Sequence, residues 1–249
     1  MHILLTNDDG IFAPGIAAVY KELVKLGDVT VVAPASVMSG AGHSITVYEP
    51  LACDEVEIAG AFRGYSVHGS PADCVKLALM ELCKEKVDLV VSGINSGANV
   101  GINVYYSGTV AAAMEGAFYR TPAVAMSLAR QDNDKFDFDS GSRYACQVLK
   151  KLLPLEPGSV TNINIPRLSI CEPKGVKVVP QSTKGFKEHY IRQQTDGGKV
   201  VYQLNGGQHR DVDSGVDTLA LVEGFITVTA LSFDMTDYDQ MEKLEQKKL

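Results

Sequence analysis

The chain begins Met1-His2-Ile3-Leu4-Leu5-Thr6-Asn7-Asp8-Asp9-Gly10. Ile3, Leu4 and Leu5 form a continuous apolar run, the pattern of a strand buried on both faces of a parallel sheet. The run stops at Asn7-Asp8-Asp9-Gly10, so two adjacent carboxylates stand at the strand's carboxyl end. Open α/β sheets build their sites at such ends. Two carboxylates this close do not both ionise readily without a cation, and a hard ion such as Mg²⁺ or Mn²⁺ suits oxygen ligands. The same four residues also form an ordinary turn, so the rest of the chain must decide between turn and site.

Outward from this strand, β-rich runs alternate with helical patterns. Ile16, Val19, Tyr20, Leu23 and Val24 share one helical face over 16–26, and Gly27 stops the helix. Strands are predicted over 29–32, 45–48, 62–67, 87–92, 122–127 and 160–165, and helices over 71–83, 110–119 and 140–153. Such alternation implies βαβ units and a mainly parallel sheet, an α/β fold. After Pro166 the pattern changes. Residues 168–215 are polar and Gly-rich, with 176–179 and 199–204 predicted as strands of a hairpin-bearing lobe. A strand over 224–231 alternates Ile226 and Val228 with Thr227 and Thr229. The charged, amphipathic tail over 237–249 is too short to be stable alone and is expected to dock on a second subunit or to fray.

Composition narrows the function. With 249 residues, 45% of them hydrophobic, the chain can bury one large domain or a domain with an appended lobe. No run of about 18 apolar residues spans a membrane. No basic stretch precedes the first apolar run, so a secretory signal is not expected and a cytoplasmic location is. A net charge of -7 argues against stable nucleic-acid binding. Cys53, Cys74, Cys83, Cys146 and Cys171 are scattered without a C-x-x-C pair and read as reduced packing residues.

Three further loops share the character of the first. Ser39-Gly40-Ala41-Gly42-His43-Ser44 offers close backbone approach and hydroxyls, but it lacks the third glycine of a dinucleotide fingerprint. Ser92-Gly93-Ile94-Asn95-Ser96-Gly97-Ala98-Asn99 resembles a nucleophile elbow with Asn95 in the serine position. An amide is no nucleophile there, yet it is a neutral oxygen ligand for a hard metal. Tyr105-Tyr106-Ser107-Gly108-Thr109 precedes an Ala-rich helix. Thr109 is the expected N-cap, and Ser107, Gly108 and the first-turn N–H groups form an anion site. Together the four loops imply a metal-and-phosphate crevice. In His68-Gly69-Ser70-Pro71-Ala72-Asp73-Cys74, Ser70 caps the helix that Pro71 enters. His43 and His68 are secondary candidates for a proton donor.

These motifs together resemble the SurE family of stationary-phase survival proteins. The resemblance lies in Asn7-Asp8-Asp9-Gly10, Ala33-Pro34 with Ser39-Gly40, His68 to Val75, Asp88 to Asn99, Tyr106 to Val110, and Gly224 to Thr229. It implies a Rossmann-like three-layer core over 1–166 and a smaller β-rich part over 167–249 that completes the same structural domain. The latter holds a hairpin lobe, a returning strand and a protruding oligomerisation tail. It also implies a metal-dependent 5′-nucleotidase, with activity extending to 3′-nucleotides and short polyphosphate, assembled as a homodimer or homotetramer. The implied metal ligands, for one Mg²⁺ or Mn²⁺ per subunit, are Asp8, Asp9, Ser39 and Asn95. The implied phosphate contacts are Gly40, Asn99, Ser107, Gly108 and Thr109, and the catalytic set is Asp8, Asp9, Asn95 and Ser107. Three departures from the family pattern stand out: Ala35-Ser36-Val37-Met38 lacks basic residues, Ser70 replaces threonine, and Ala230 replaces proline.

Metal-assisted attack by water is the expected mechanism. Aspartyl-nucleophile phosphatases separate their two acids by one residue, whereas these are adjacent. The rival readings are a non-catalytic nucleotide sensor and a phosphatase for another small phosphoester.

Overall fold

The computed structural model describes residues 1–247 except 59, 61, 131–135, 196 and 210–214, and leaves undescribed the side chains of 186 and 207–209. Parts of two predicted segments, 210–214 of the polar lobe and 248–249 of the tail, therefore lie outside the described residues.

Eleven strands and six α-helices are described. In order they are β1 (His2–Thr6), α1 (Pro14–Leu23), β2 (Asp28–Pro34), β3 (Cys53–Ile58), β4 (Phe62–Val67) and α2 (Pro71–Leu77); then β5 (Leu89–Ser96), α3 (Gly108–Phe118), β6 (Ala123–Leu128), α4 (Phe138–Leu152) and β7 (Val160–Ile165). Beyond these come β8 (Val176–Val178), β9 (Phe186–Gln194), β10 (Val200–His209), α5 (Asp217–Val222), β11 (Ile226–Leu231) and α6 (Tyr238–Glu245). Nine strands form one sheet in the order β3-β4-β2-β1-β5-β6-β7-β11-β8, and β9 pairs with β10 in a separate hairpin. The pairs from β4 through β7 are parallel; β3 and β11 run antiparallel to β4 and β7.

The strand pleat explains why the central strands carry continuous apolar runs. Ile3 and Leu5 enter one core while Leu4 enters the other, and Val91 and Val90 divide the same way. Ile16, Val19 and Leu23 of α1, with Ala145, Cys146 and Leu149 of α4, cover the first face. Val75 of α2 and Val110, Ala113 and Ala117 of α3 cover the second. The result is a three-layer α/β fold. Local chemistry sets the helix starts. Pro14 stands in the first turn of α1, and Ser70 and Asp73 form a reciprocal capping box on α2. Burial pushes the Cys146 thiol up to about 12 and holds Cys74 well above its usual range, in keeping with packing roles.

Four expectations are corrected. Residues 45–48 are not a strand: Ile45, Val47 and Tyr48 are exposed, because β3 takes the place beside β4. Val176–Val178 is not in the hairpin; it pairs in parallel with β11 at the edge of the main sheet, and the hairpin partner of β10 is β9. The helix predicted over 71–83 is α-helical only to Leu77 and continues as a π-turn over Ala78–Leu82. The N-cap of α3 is Ser107, whose Oγ accepts from the Val110 amide, and Thr109 lies inside the helix.

Candidate active site

From β1 the chain builds outward to β2 and β4, then crosses to the other side of β1 for β5, β6 and β7. The order therefore reverses between β1 and β5, and the crevice of an open sheet opens at the carboxyl ends of those two strands. Asp8 and Asp9 follow β1, Asn95 and Ser96 end β5, Ser39 and Gly40 lie in the loop after β2, and Ser107 caps α3. A cleft of about 170 Å³ there is lined by Asp8, Ser39, Gly40, Asn95, Asn99 and Ser107, together with Ser96, Asn103 and Tyr106. A larger hollow, about 630 Å³, lies by Val87 and Asp88 just before β5, at the opposite end of the strands.

Each carboxylate of the pair is held by two donors from a single residue. Asp8 accepts from the Thr109 amide at 3.0 Å and the Thr109 hydroxyl at 2.5 Å. Asp9 accepts from the Ser96 amide at 3.0 Å and the Ser96 hydroxyl at 2.9 Å. Asp8 is thus aimed by the start of α3, and Asp9 by the end of β5. Burial pushes the Asp8 carboxyl up to about 6; Thr109's hydrogen bonds oppose this and the neighbouring Asp9 charge adds to it.

Gly93 lets β5 reach this point. Its φ is +134°, and a Cβ there would sit 2.3 Å from the Met126 carbonyl oxygen. The register of β5 against β6 shifts between Ser92 and Asn95, which re-aims the strand end as bulges do. Asn95 then donates from Nδ2 to the Gly97 carbonyl at 2.8 Å. Below the cleft, the Asn99 amide donates to Asn164 Oδ1 and its side chain to Ser127 Oγ, while its carbonyl accepts from Asn162 and Asn164.

Six predicted residues thus share one cleft. Asp9 turns toward an adjoining hollow that also contains Ser96. Gly108 stands behind Asp8, where a Cβ would lie 2.9 Å from the Asp8 Cβ. Thr109 is fully buried, with amide and hydroxyl both given to Asp8. The structure therefore makes it a partner of the carboxylate, where a direct phosphate contact was expected. Neither candidate proton donor lines the cleft: His43 Nε2 is bonded to Glu115 at 2.8 Å, and His68 faces Asp54 at 3.9 Å. Sequence reasoning missed Ser96 and the Asn162–Asn164 layer. A hydroxyl residue directly after the predicted ligand Asn95 was the available signal for the first.

The donor set fits a hard divalent ion. Among the described residues neither Asp8 nor Asp9 forms an ion pair, and no Lys, Arg or His lines the cleft. The charge of the acid pair is left for a ligand to neutralise. The other candidate ligands are a hydroxyl and an amide, and among the described residues no group of three or more His, Cys, Asp or Glu side chains is placed to hold a metal ion. Neutral oxygens beside two carboxylates suit Mg²⁺ or Mn²⁺ and not a soft ion.

Fold and site define a doubly wound α/β protein with an acidic, oxygen-lined crevice at its switch point. The chain belongs to the SurE family: the family model described as survival protein SurE matches residues 3–188. The 5′-nucleotidase SurE of Clostridium botulinum (strain Kyoto / Type A2) is 40% identical over 248 residues, covering 99% of this chain and 98% of that protein. That of Rhodopirellula baltica (strain DSM 10527 / NCIMB 13988 / SH1) is 43% identical over 253 residues, covering 100% and 99%. The crystal structure of the SurE protein from Aquifex aeolicus has a TM-score of 0.84 and 36% identity, with full coverage of both chains.

Proposed function

We propose that the protein is a metal-dependent phosphomonoesterase that hydrolyses nucleoside 5′-monophosphates. The observation that carries the reading is the uncompensated acid pair, Asp8 and Asp9, each locked by a donor pair, with Asp8 lining a cleft of hydroxyl and amide oxygens and Asp9 beside it. Family relatives named 5′-nucleotidase SurE, similar over nearly their full length, support the same activity. An apolar hollow of about 510 Å³, walled by Phe12, Val37, Phe136 and Phe138, adjoins Asp9 and Ser96. It offers a nucleobase an aromatic surface, which favours a nucleotide over a sugar phosphate.

Asp8, Asp9, Ser39 and Asn95 would hold one Mg²⁺ or Mn²⁺, which supplies Lewis-acid polarisation of the phosphoryl group. The chain's own residues do the rest. Thr109 and Ser96 keep the two carboxylates oriented. Of the first three amides of α3, Val110 serves the cap and Thr109 serves Asp8. The Gly108 amide and the helix dipole remain to receive a phosphoryl oxygen beside Ser107. Gly40, exposed at the loop tip, has no atom near its missing Cβ and allows the substrate close approach. Asn99 completes the floor.

The assembly we propose is a homodimer or homotetramer, supported by the exposed Tyr238, Met241 and Leu244 of α6. Five cysteines without disulfides fit a cytoplasmic setting. No helix among the described residues is long and apolar enough to cross a membrane.

The test is phosphate release from nucleoside 5′- and 3′-monophosphates, sugar phosphates and short polyphosphate, with Mn²⁺ or Mg²⁺ and with chelator. Metal-dependent release that is fastest from 5′-nucleotides is expected. Release from none of them overturns the enzyme reading in favour of a nucleotide sensor.

A further inference from the structure

Glu115 is a buried carboxylate, 2% exposed, on the face of α3 and outside the cleft. Its two oxygens meet His43 Nε2 at 2.8 Å and Lys76 Nζ at 3.1 Å. His43 belongs to the loop that carries Ser39 and Gly40. Its ring also stacks on Phe118 of the same helix, with centroids 5.2 Å apart. Burial alone would raise the Glu115 carboxyl, yet the bonds from His43 and Lys76 prevail and hold it below its usual range. The ionised form is therefore the one built into the fold.

The loop has few other ties. Before the tip, the Met38 amide donates to the Asp8 carbonyl at 2.8 Å, and after it the Gly42 amide donates to the Tyr106 carbonyl at 3.1 Å. Ser39 and Gly40 lie between those two points and are exposed. Further along, Ser70 Oγ donates to the Ser44 carbonyl, and the Thr46 amide and hydroxyl donate to Asp73. The helix that receives His43 is the one whose first turn holds Asp8 through Thr109. From Thr109 to Glu115 the helix rises about 9 Å. One rigid element thus references both sides of the cleft.

We propose that Glu115 and His43 are positioning residues: the Glu115–His43 pair fixes the Ser39–Gly40 loop to α3 and so sets the distance of Ser39 from the carboxylate pair. The inference rests on reading Asp8, Asp9, Ser39 and Asn95 as metal ligands. Residues that orient metal ligands from outside the coordination shell commonly change metal affinity by roughly 10–100-fold when removed.

The test is Mn²⁺ binding to the full chain by titration calorimetry, alongside thermal unfolding in chelator and a split of kcat from KM. His43→Ala should weaken Mn²⁺ binding about 10-fold. Its unfolding midpoint in chelator should fall modestly, because the buried Glu115 carboxylate keeps only Lys76 as a partner, while kcat should recover at saturating Mn²⁺. Glu115→Gln should weaken binding in the same direction. His43→Gln, which restores a donor toward Glu115, should recover most of the affinity. Lys76→Met, which removes the partner that does not touch the loop, should leave affinity within about twofold. Wild-type affinity in His43→Ala overturns the inference while the metal reading stands. No Mn²⁺ uptake by the wild type overturns the metal reading, and the inference with it.

Discussion

Asp8 makes opposite contributions with and without a cation. Its carboxyl titrates near 6 in the folded, metal-free protein against an ordinary value of 3.8, because burial and Asp9 disfavour the charge. A folded pKa above the unfolded one gives stability that is complete below pH about 4 and lost as pH rises through about 6. Two pKa units correspond to about 3 kcal/mol. In chelator at pH 8, Asp8→Asn should therefore resist denaturant better than the wild type, and the difference should vanish near pH 4. The same variant should lose at least about 100-fold in metal-dependent turnover. Equal denaturation midpoints at pH 8 would show that the buried charge carries no such penalty. Thr109→Val removes only the hydroxyl that aims Asp8. The expected result is roughly 10–100-fold weaker Mn²⁺ binding, measured calorimetrically, with the fold intact. At this scale the sequence showed the acids and the neutral oxygens, because each sits in turn-forming residues directly after an apolar run. It did not show that Thr109 and Ser96 each spend both donors on one carboxylate. Those contacts join residues about 90 to 100 positions apart and leave no local pattern.

Elements were legible in proportion to their burial. β1, β2, β5 and β6 carry apolar side chains into both cores, so each contains a continuous run of three or more apolar residues, whereas β7 alternates Asn162 and Asn164 with Ile163 and Ile165. β3 has only Ile58 buried, and β9 reads Phe-Lys-Glu-His-Tyr-Ile-Arg-Gln-Gln with no periodic apolar face. Both are held by backbone pairing that composition does not encode. Residues 45–48 fail in the reverse sense. They alternate like a strand, but no neighbouring strand accepts them, and Thr46 bonds to Asp73 instead. β5 is the element on which the site depends most, since its bend at Gly93 delivers both Asn95 and Ser96. Gly93→Ala would force an L-residue to φ +134° and press its methyl against the Met126 carbonyl. The expected loss is about 3 kcal/mol of stability, read as a lower denaturant midpoint. Because the strand end moves, Mn²⁺ binding should weaken as well. A variant with wild-type stability and affinity would show that the bend is not glycine-dependent.

At the scale of the molecule, the chain leaves the core sheet after β7 and returns to it with β8 and β11, so the site and the C-terminal part share one framework. The tail beyond β11 is different. α6 has no buried residue, while Met235 is 83% exposed and Tyr238, Met241 and Leu244 are also open to solvent. Its side-chain bonds, with the Thr236 amide and Tyr238 hydroxyl donating to Asp234 and the Gln240 amide donating to Asp237, are all local and exposed. A helix this short is marginal without a surface to pack on, and the described residues of the protomer bury none of it. If a second subunit supplies that surface, association stabilises the fold by mass action, and the unfolding temperature rises with protein concentration. A chain ending at Met235 keeps the sheet and the Phe118–Phe233 ring contact. Its solution mass by light scattering should fall below that of the full chain, and its unfolding temperature should lose its concentration dependence. Equal masses, with no concentration dependence in either protein, would show that the tail frays and that any assembly uses another surface. Unchanged Mn²⁺ affinity in the shortened chain would further show that the cleft is complete within one protomer.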